Sequence, residues 1–258
     1  MLFAIDCGNT HIVAGVYDEN TLVRYWRLGS DVKKTEDEYM AIFYELFRDA
    51  QIKAESIDAM IIASVVPDIT FVMNKLARKY LQLMPIIVDS RTDTGITVDA
   101  SNPEQVGADR IVNAVAAHRI YGGCLIIVDF GTATTFDCVS EDGCYLGGAI
   151  APGIEISKRA LFEHAAKLAN IPLERPEHVI GRNTTESLQS GILWGFASQV
   201  DGIVARMSEE WGQKPRVIAT GGLARIISAY SESIDSVNPL LTLEGLRLIY
   251  ERNRMTAE

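Results

Sequence analysis

A chain of 258 residues, 48% apolar and 22% charged, has the composition of an ordinary globular protein and enough length for one large domain or two small ones. Its 34 acidic against 24 basic side chains give a formal net charge of −10. That excludes a general nucleic-acid binder, which needs a basic face, but leaves room for a local site for a phosphorylated small molecule. Four cysteines (Cys7, Cys124, Cys138 and Cys144) include no C-x-x-C pair and predict reduced, mostly buried thiols. With no signal-like start and no apolar run near the eighteen or so residues of a membrane span, the expectation is a cytoplasmic, soluble chain.

The first predicted elements are strands. Phe3, Ala4 and Ile5 form an apolar run that ends at Asp6, followed by the turn Cys7-Gly8-Asn9-Thr10 and a second run through Ile12, Val13, Ala14, Val16 and Tyr17. Thr21 to Leu28 reads as a third strand. Tyr39, Ile42, Phe43, Leu46 and Phe47 recur at helical spacing, with Thr35 and Glu38 in a capping-box pattern. The run at 59–68 suits a strand covered on both faces, and it is followed by a predicted helix over 69–81 and a strand at 85–88.

From residue 123 the pattern restarts. "CLIIVDFGTATTFDCV" is again an apolar strand, an aspartate, a glycine turn and a strand, so that Asp129-Phe130-Gly131 aligns with Asp6-Cys7-Gly8. "VIATGGLA" (217–224) echoes "IIASVVPD" (61–68), a long helix is predicted over 184–211, and an amphipathic helix over 243–252 ends the chain. Two copies of a β-β-β-α-β-α unit follow, divided as residues 1–117 and 118–258, with a cleft between the halves.

A glycine hairpin can bring backbone N–H groups to phosphate oxygens, and a neighbouring carboxylate can hold Mg²⁺ directly or through water. Asn9, Thr10, Thr132, Thr134 and Thr135 add short polar side chains of the same use. A single D-x-G-N turn is equally ordinary hairpin chemistry; two symmetric ones favour nucleotide binding. The glycines Gly221 and Gly222, after a strand and before a helix, suit close approach to an adenosine or simply a turn. No P-loop and no dinucleotide fingerprint occurs. His11, His118, His164 and His178 form no triad or metal spacing and read as structural or surface residues, and Asp137 and Glu155 read as satisfied structural carboxylates. In "NPEQVGADRIVNAVAAH" (102–118) a loop enters a helix with Asp109 and Arg110 in its first turn. An aspartate there suits the helix dipole alone, whereas the arginine suits a ligand anion at the helix N-terminus.

Taken in order, "DCGNT", "GADR", "DFGTATTFD", "GGAIAPG" and "GRNTTESLQSG" resemble the type III pantothenate kinase family, of the acetate and sugar kinase, Hsp70 and actin superfamily. The resemblance implies a duplicated ribonuclease H-like, actin-like ATPase fold of the α/β class. It also implies ATP-dependent phosphorylation of pantothenate to 4'-phosphopantothenate, the first step of coenzyme A biosynthesis, by a homodimer with the long helix after Thr184 at its interface. Carried over by resemblance, Asp6, Gly8, Asn9 and Thr10 form the first phosphate loop, with Asp6 near ATP-bound Mg²⁺. Gly107, Ala108, Asp109 and Arg110 hold pantothenate, Arg110 pairing with its carboxylate and Asp109 taking its hydroxyl proton. Thr184 reaches the substrate, Gly131 and Thr132 meet ATP phosphate, and Asp129 binds a monovalent cation, K⁺ or NH₄⁺. One departure stands out: the family commonly has tyrosine where this chain has Ala100. The alternatives are a nucleotide-binding accessory protein of the same family, an actin-like or chaperone-like switch, and a sugar or acetate kinase of the superfamily.

Overall fold

The computed structural model describes residues 1–164, 171–174 and 176–255. It divides into two compact units, residues 1–120 together with the segment from Leu240 onward, and Tyr121–Pro239. The expected boundary at 117 lies three residues before the observed one. The closing helix, expected with the second half, packs with the first for a reason given below.

The first unit opens with β1 (Leu2–Cys7), β2 (His11–Asp18) and β3 (Thr21–Gly29), followed by α1 (Glu36–Asp49), β4 (Ala59–Ser64), α2 (Pro67–Leu76) and β5 (Ile86–Ile87). A two-residue strand β6 (Thr97–Val98) precedes α3 (Ala108–Tyr121), and the unit is completed by α7 (Leu241–Met255). Its strands lie in the order β3-β2-β1-β4-β5. The β1–β2 and β2–β3 pairs are antiparallel and the β1–β4 and β4–β5 pairs parallel. Residues of β1 alternate between two cores, as the period of two requires. Phe3, Ile5 and Cys7 meet α1 and α2 through Met40, Phe43, Phe47, Ile69 and Met73. Phe3 takes edge contacts from Phe43 and Phe47 at 5.1 and 5.2 Å. Leu2 and Ala4 face the other way, onto Val112 and Val115 of α3 and Leu243, Leu246 and Ile249 of α7. With both faces covered, β1 and β4 have to be continuously apolar, and each such buried side chain contributes about 1.5–3 kcal/mol.

Three contacts fix α7 against this face. A β-carbon on Gly245 would lie 2.1 Å from the Val112 carbonyl oxygen, so the two helices meet backbone to backbone. Beside it, Thr242 donates its hydroxyl to Oδ1 of the buried Asn113 at 2.7 Å. Leu243 also lies over Gly15, where a β-carbon would come within 2.9 Å of its Cδ1.

The second unit repeats the plan with β7 (Leu125–Phe130), β8 (Ala133–Val139), β9 (Cys144–Pro152), α4 (Ile154–His164), α5 (Thr184–Trp211), β10 (Arg216–Gly221), α6 (Ala224–Ile227) and β11 (Ser236–Val237). Its own strands run β9-β8-β7-β10-β11, again two antiparallel pairs followed by two parallel ones. β1 and β7 share the same burial pattern, four buried residues, a half-buried aspartate and a buried residue. Ile126, Val128 and Phe136 pack with Ile192, Leu193, Ala197, Val200 and Val204 of α5. The α/β class and the duplication are as expected.

Most elements match the sequence reading, α1 with both halves of its capping box and α5 at both ends. Some differ. The helix expected at 69–81 starts at Pro67, whose ring suits the first helical position, and passes after Leu76 into a π turn over Ala77–Leu81. The strand expected at 85–88 is only Ile86–Ile87, and the last helix starts two residues earlier than expected. Of the four free thiols only Cys7 is fully buried. Asp137 is the structural carboxylate expected: wholly buried, it accepts hydrogen bonds from Tyr145 Oη at 2.7 Å and Thr135 Oγ1 at 3.2 Å. No helix among the described residues is long and apolar enough to cross a membrane.

Candidate active site

In the first unit, Asp6 stands at the carboxyl end of β1 opposite Val13 of β2 and Ala63 of β4. It is half-buried rather than buried, and Asn9 and Thr10 are exposed in the turn that follows. The turn is closed by its own backbone. The Gly8 N–H donates to the His11 carbonyl at 3.0 Å, Ser30 Oγ donates to the Gly8 carbonyl at 2.5 Å, and the Ser30 N–H donates to the Thr10 carbonyl at 3.0 Å. The Gly8 amide is therefore engaged within the turn, and the loop's outward chemistry falls to Asp6, Asn9 and Thr10.

The GADR segment reaches the same strand ends. Val65, just past β4, donates its N–H to the Cys7 carbonyl at 3.2 Å. Its Cγ1 lies 3.5 Å from where a β-carbon on Gly107 would stand. The first loop and the α3 N-terminus thus share Val65 as a neighbour. Gly107 is glycine for a local reason: a β-carbon there would sit 2.5 Å from Asp109 Oδ1. The same oxygen accepts the Arg110 N–H at 2.8 Å. Burial holds the Asp109 carboxyl above its ordinary range, opposed by that N–H and by the charge of Arg110. A carboxylate so placed is a stronger proton acceptor than a solvated one.

In the second unit Asp129 pairs across the sheet with Thr220 and Thr135. Gly221, at φ +90°, leaves space that a side chain would fill. Its β-carbon would stand 2.6 Å from both Asp129 Oδ1 and the Phe130 carbonyl oxygen. Two hard oxygens, one charged, therefore converge over a bare Cα, a donor set that suits a cation. Gly222 lies in the turn into α6. The Gly131 N–H, like that of Gly8, is taken within its turn, by the Ala133 carbonyl at 3.0 Å. Gly153 clamps this turn: a β-carbon there would overlap the Thr132 carbonyl, 2.2 Å away.

Thr184 is the exposed first residue of α5. Asn183 caps that helix by accepting the Glu186 N–H at 2.9 Å, and Glu186 accepts the Arg182 N–H at 2.7 Å. An open hollow here is lined by Gly181, Arg182, Asn183, Thr184, Ser187 and Leu188. Each unit thus gathers predicted residues at its strand ends, and Thr184 stands at the head of α5. Val65, Gly153 and Gly181 were not singled out from the sequence. The last two lie in glycine motifs already noted, but Val65 carries no local signal because its part is to bridge two distant segments.

Among the described residues no group of three or more His, Cys, Asp or Glu side chains could hold a metal ion. A single half-buried carboxylate such as Asp6 fits a divalent ion carried mainly by phosphates and water.

The family model described as type III pantothenate kinase matches residues 2–206. A type III pantothenate kinase of Citrifermentans bemidjiense is 52% identical over 254 residues, 98% of this chain and 100% of the relative. Another, of Geobacter sp. strain M21, is 51% identical with the same coverage. Among solved structures, component A of the (R)-2-hydroxyglutaryl-CoA dehydratase of Acidaminococcus fermentans superposes with a TM-score of 0.56 at 14% identity, covering 99% of this chain and 98% of the other. The ROK hexokinase of Thermus thermophilus gives 0.51 at 16%, covering 98% and 99%. These two likenesses bear on the fold alone, the duplicated actin-like one. With a family model over most of its length and relatives more than half identical from end to end, the chain belongs to the type III pantothenate kinase family.

Proposed function

We propose that this protein transfers the γ-phosphoryl group of ATP to pantothenate, giving 4'-phosphopantothenate and ADP in the first step of coenzyme A biosynthesis. The observation that carries the reading at the level of the site is Asp109, whose carboxylate occupies the space Gly107 leaves free at the head of α3, with its proton affinity raised by burial. The primary hydroxyl oxygen of pantothenate attacks the γ-phosphorus, the bond to the β–γ bridging oxygen breaks, and the hydroxyl proton passes to Asp109. Arg110, in the first turn of the same helix, pairs with the pantothenate carboxylate, and Gly107 and Ala108 lie along the substrate. Thr184 is a further substrate contact. Asn9 and Thr10 of the first loop and Thr132 of the second bind phosphate, with Gly8, Gly131 and Gly153 shaping the turns, and Gly221 and Gly222 stand nearest the adenosine.

ATP brings a divalent cation, Mg²⁺, which neutralises phosphate charge when bound; Asp6 is the carboxylate that fits it. Asp129, with the Phe130 carbonyl beside it, suits a monovalent cation, K⁺ or NH₄⁺. The homodimer reading is supported by an exposed row of small residues on α5, Ser187, Gly191, Gly195 and Ser198. Four free thiols accord with a cytoplasmic setting. The accessory-protein alternative is not favoured, since the family model and the curated relatives carry the kinase name. The test is ADP release from Mg·ATP, with and without pantothenate, in K⁺ and then Na⁺ buffer. Turnover that needs pantothenate and K⁺ is the expected result; ADP release independent of pantothenate would refute the reading.

A further inference from the structure

On the face of the first unit's sheet that carries α3, a second polar group stands beside the first loop. Asp6 is directly opposite Val13, and Val13 is directly opposite Arg27 of β3. Residues paired across strands share a face, and so do residues two apart along one strand. Asp6, Val13, Arg27 and His11 therefore form one patch. Val13 packs against the core that includes Val112 and Val115 of α3, which identifies the face. His11 is tied to the loop through its carbonyl, which accepts the Gly8 N–H. Its ring Nδ1 lies 2.9 Å from Arg27 Nη2.

That contact settles the state of the imidazole. A guanidinium has N–H donors and no acceptor, so Nδ1 has to accept, and the proton of neutral His11 then resides on Nε2. Partial burial and the charge of Arg27 both favour the neutral ring. Arg27 is itself unusual in its choice of partner. In a chain with ten more acidic than basic groups, it has no carboxylate partner among the described residues and spends a donor on a neutral ring. Its other N–H groups and the His11 Nε2–H form a cationic donor pair with no direct ion pair of its own among the described residues, following Asn9 and Thr10 in the chain.

We infer that His11 and Arg27 form an anion-binding pair for the phosphates of the nucleoside triphosphate held at the β1–β2 loop. His11 donates through Nε2–H, and Arg27 both fixes that tautomer and supplies charge. This rests on the reading of residues 6–10 as a phosphate loop, and goes beyond it by adding a residue from β3.

The test measures the Kd of a non-hydrolysable ATP analogue with Mg²⁺ by calorimetry on the full chain, for wild type, Arg27→Ala, His11→Ala and His11→Gln. Arg27→Ala is expected to weaken binding about tenfold and to flatten its salt dependence. His11→Ala is expected to weaken it several-fold, and His11→Gln, whose amide places an N–H near Nε2, to restore most of the loss. The second readout is the ¹⁵N spectrum of His11 near neutral pH, expected as the Nε2–H tautomer in wild type and as a mixed ring in Arg27→Ala. Analogue binding within twofold of wild type in both alanine variants overturns the inference, as does a wild-type ring protonated at Nδ1. Failure of the wild type to phosphorylate pantothenate would instead count against the proposed function, since the binding comparison needs no turnover.

Discussion

Asp109, the base in the proposed reaction, sits in an arrangement that costs the fold something. A carboxyl whose folded pKa lies above its unfolded value holds its proton more tightly when folded. Its contribution to stability is therefore present below the ordinary carboxylate pKa and is lost as pH rises through the folded one. At neutral pH the full penalty of the buried charge applies. Asp109→Asn keeps the shape and removes the charge, so it is expected to melt at a higher temperature than wild type at pH 7, with the gap closing as pH is lowered toward the carboxylate range. Turnover in the same variant is expected to fall by about 10²–10⁴-fold, the usual worth of a general base. Thermal melts across pH beside a steady-state assay check both; a variant with normal turnover would remove Asp109 from the chemistry. Gly221 supports Asp129 in a different way. Gly221→Ala puts a β-carbon 2.6 Å from two oxygens at φ +90°, a backbone region costing an L-residue about 1–2 kcal/mol. The expected result is loss of K⁺ activation together with a raised KM for ATP, since the proposed site also sets Gly221 nearest the adenosine, read by titrating K⁺ and ATP against activity.

At the scale of elements, the proposed substrate segment is only as well placed as α3, and α3 is held from behind by α7. Gly245 lets the two helices touch at the Val112 carbonyl, and Thr242 bonds to Asn113 beside it. Gly245→Ala is expected to force the helices apart, costing about 1–3 kcal/mol as overpacking does and raising the KM for pantothenate more than that for ATP. A variant with unchanged melting temperature and both KM values intact would show that α7 does not set the position of α3. This dependence marks where the sequence stopped being readable. The strand ends with their aspartates, the capping box of α1 and both bounds of α5 were legible because each is written in a few adjacent residues. The GADR residues and the two turns could be singled out for the same reason. The pairing of α7 with α3 joins Gly245 to Val112 across 133 positions, and Val65 bridges Cys7 and Gly107; no local pattern records either. Nor could sequence reveal that the amides of Gly8 and Gly131 are consumed inside their own turns, since that depends on how tightly each hairpin closes.

For the molecule as a whole, α5 poses the remaining question. Its inward face is apolar, with Ile192, Leu193, Ala197, Val200 and Val204 in the core of the second unit. Its outward face carries Gly191 and Gly195, and a β-carbon on either would meet none of the described residues within 4 Å. Glycine inside a helix costs about 1 kcal/mol relative to alanine, and neither glycine relieves a clash with the described residues. A bare strip along a helix of 28 residues makes sense where another backbone comes close, and the homodimer reading supplies a second copy of α5 for that role. Gly195→Leu fills the strip while leaving the inward face untouched and replaces glycine with a better helix former. The variant monomer is therefore expected to be at least as stable as wild type, yet to fail to dimerise. Light scattering over a range of micromolar concentrations checks this, with wild type at twice the chain mass and the variant at one. Thr184 begins this same helix, so an accompanying rise in the KM for pantothenate would tie substrate binding to assembly. A wild type that stays monomeric throughout the range would leave the two glycines without that explanation and would remove the dimer from the proposed function.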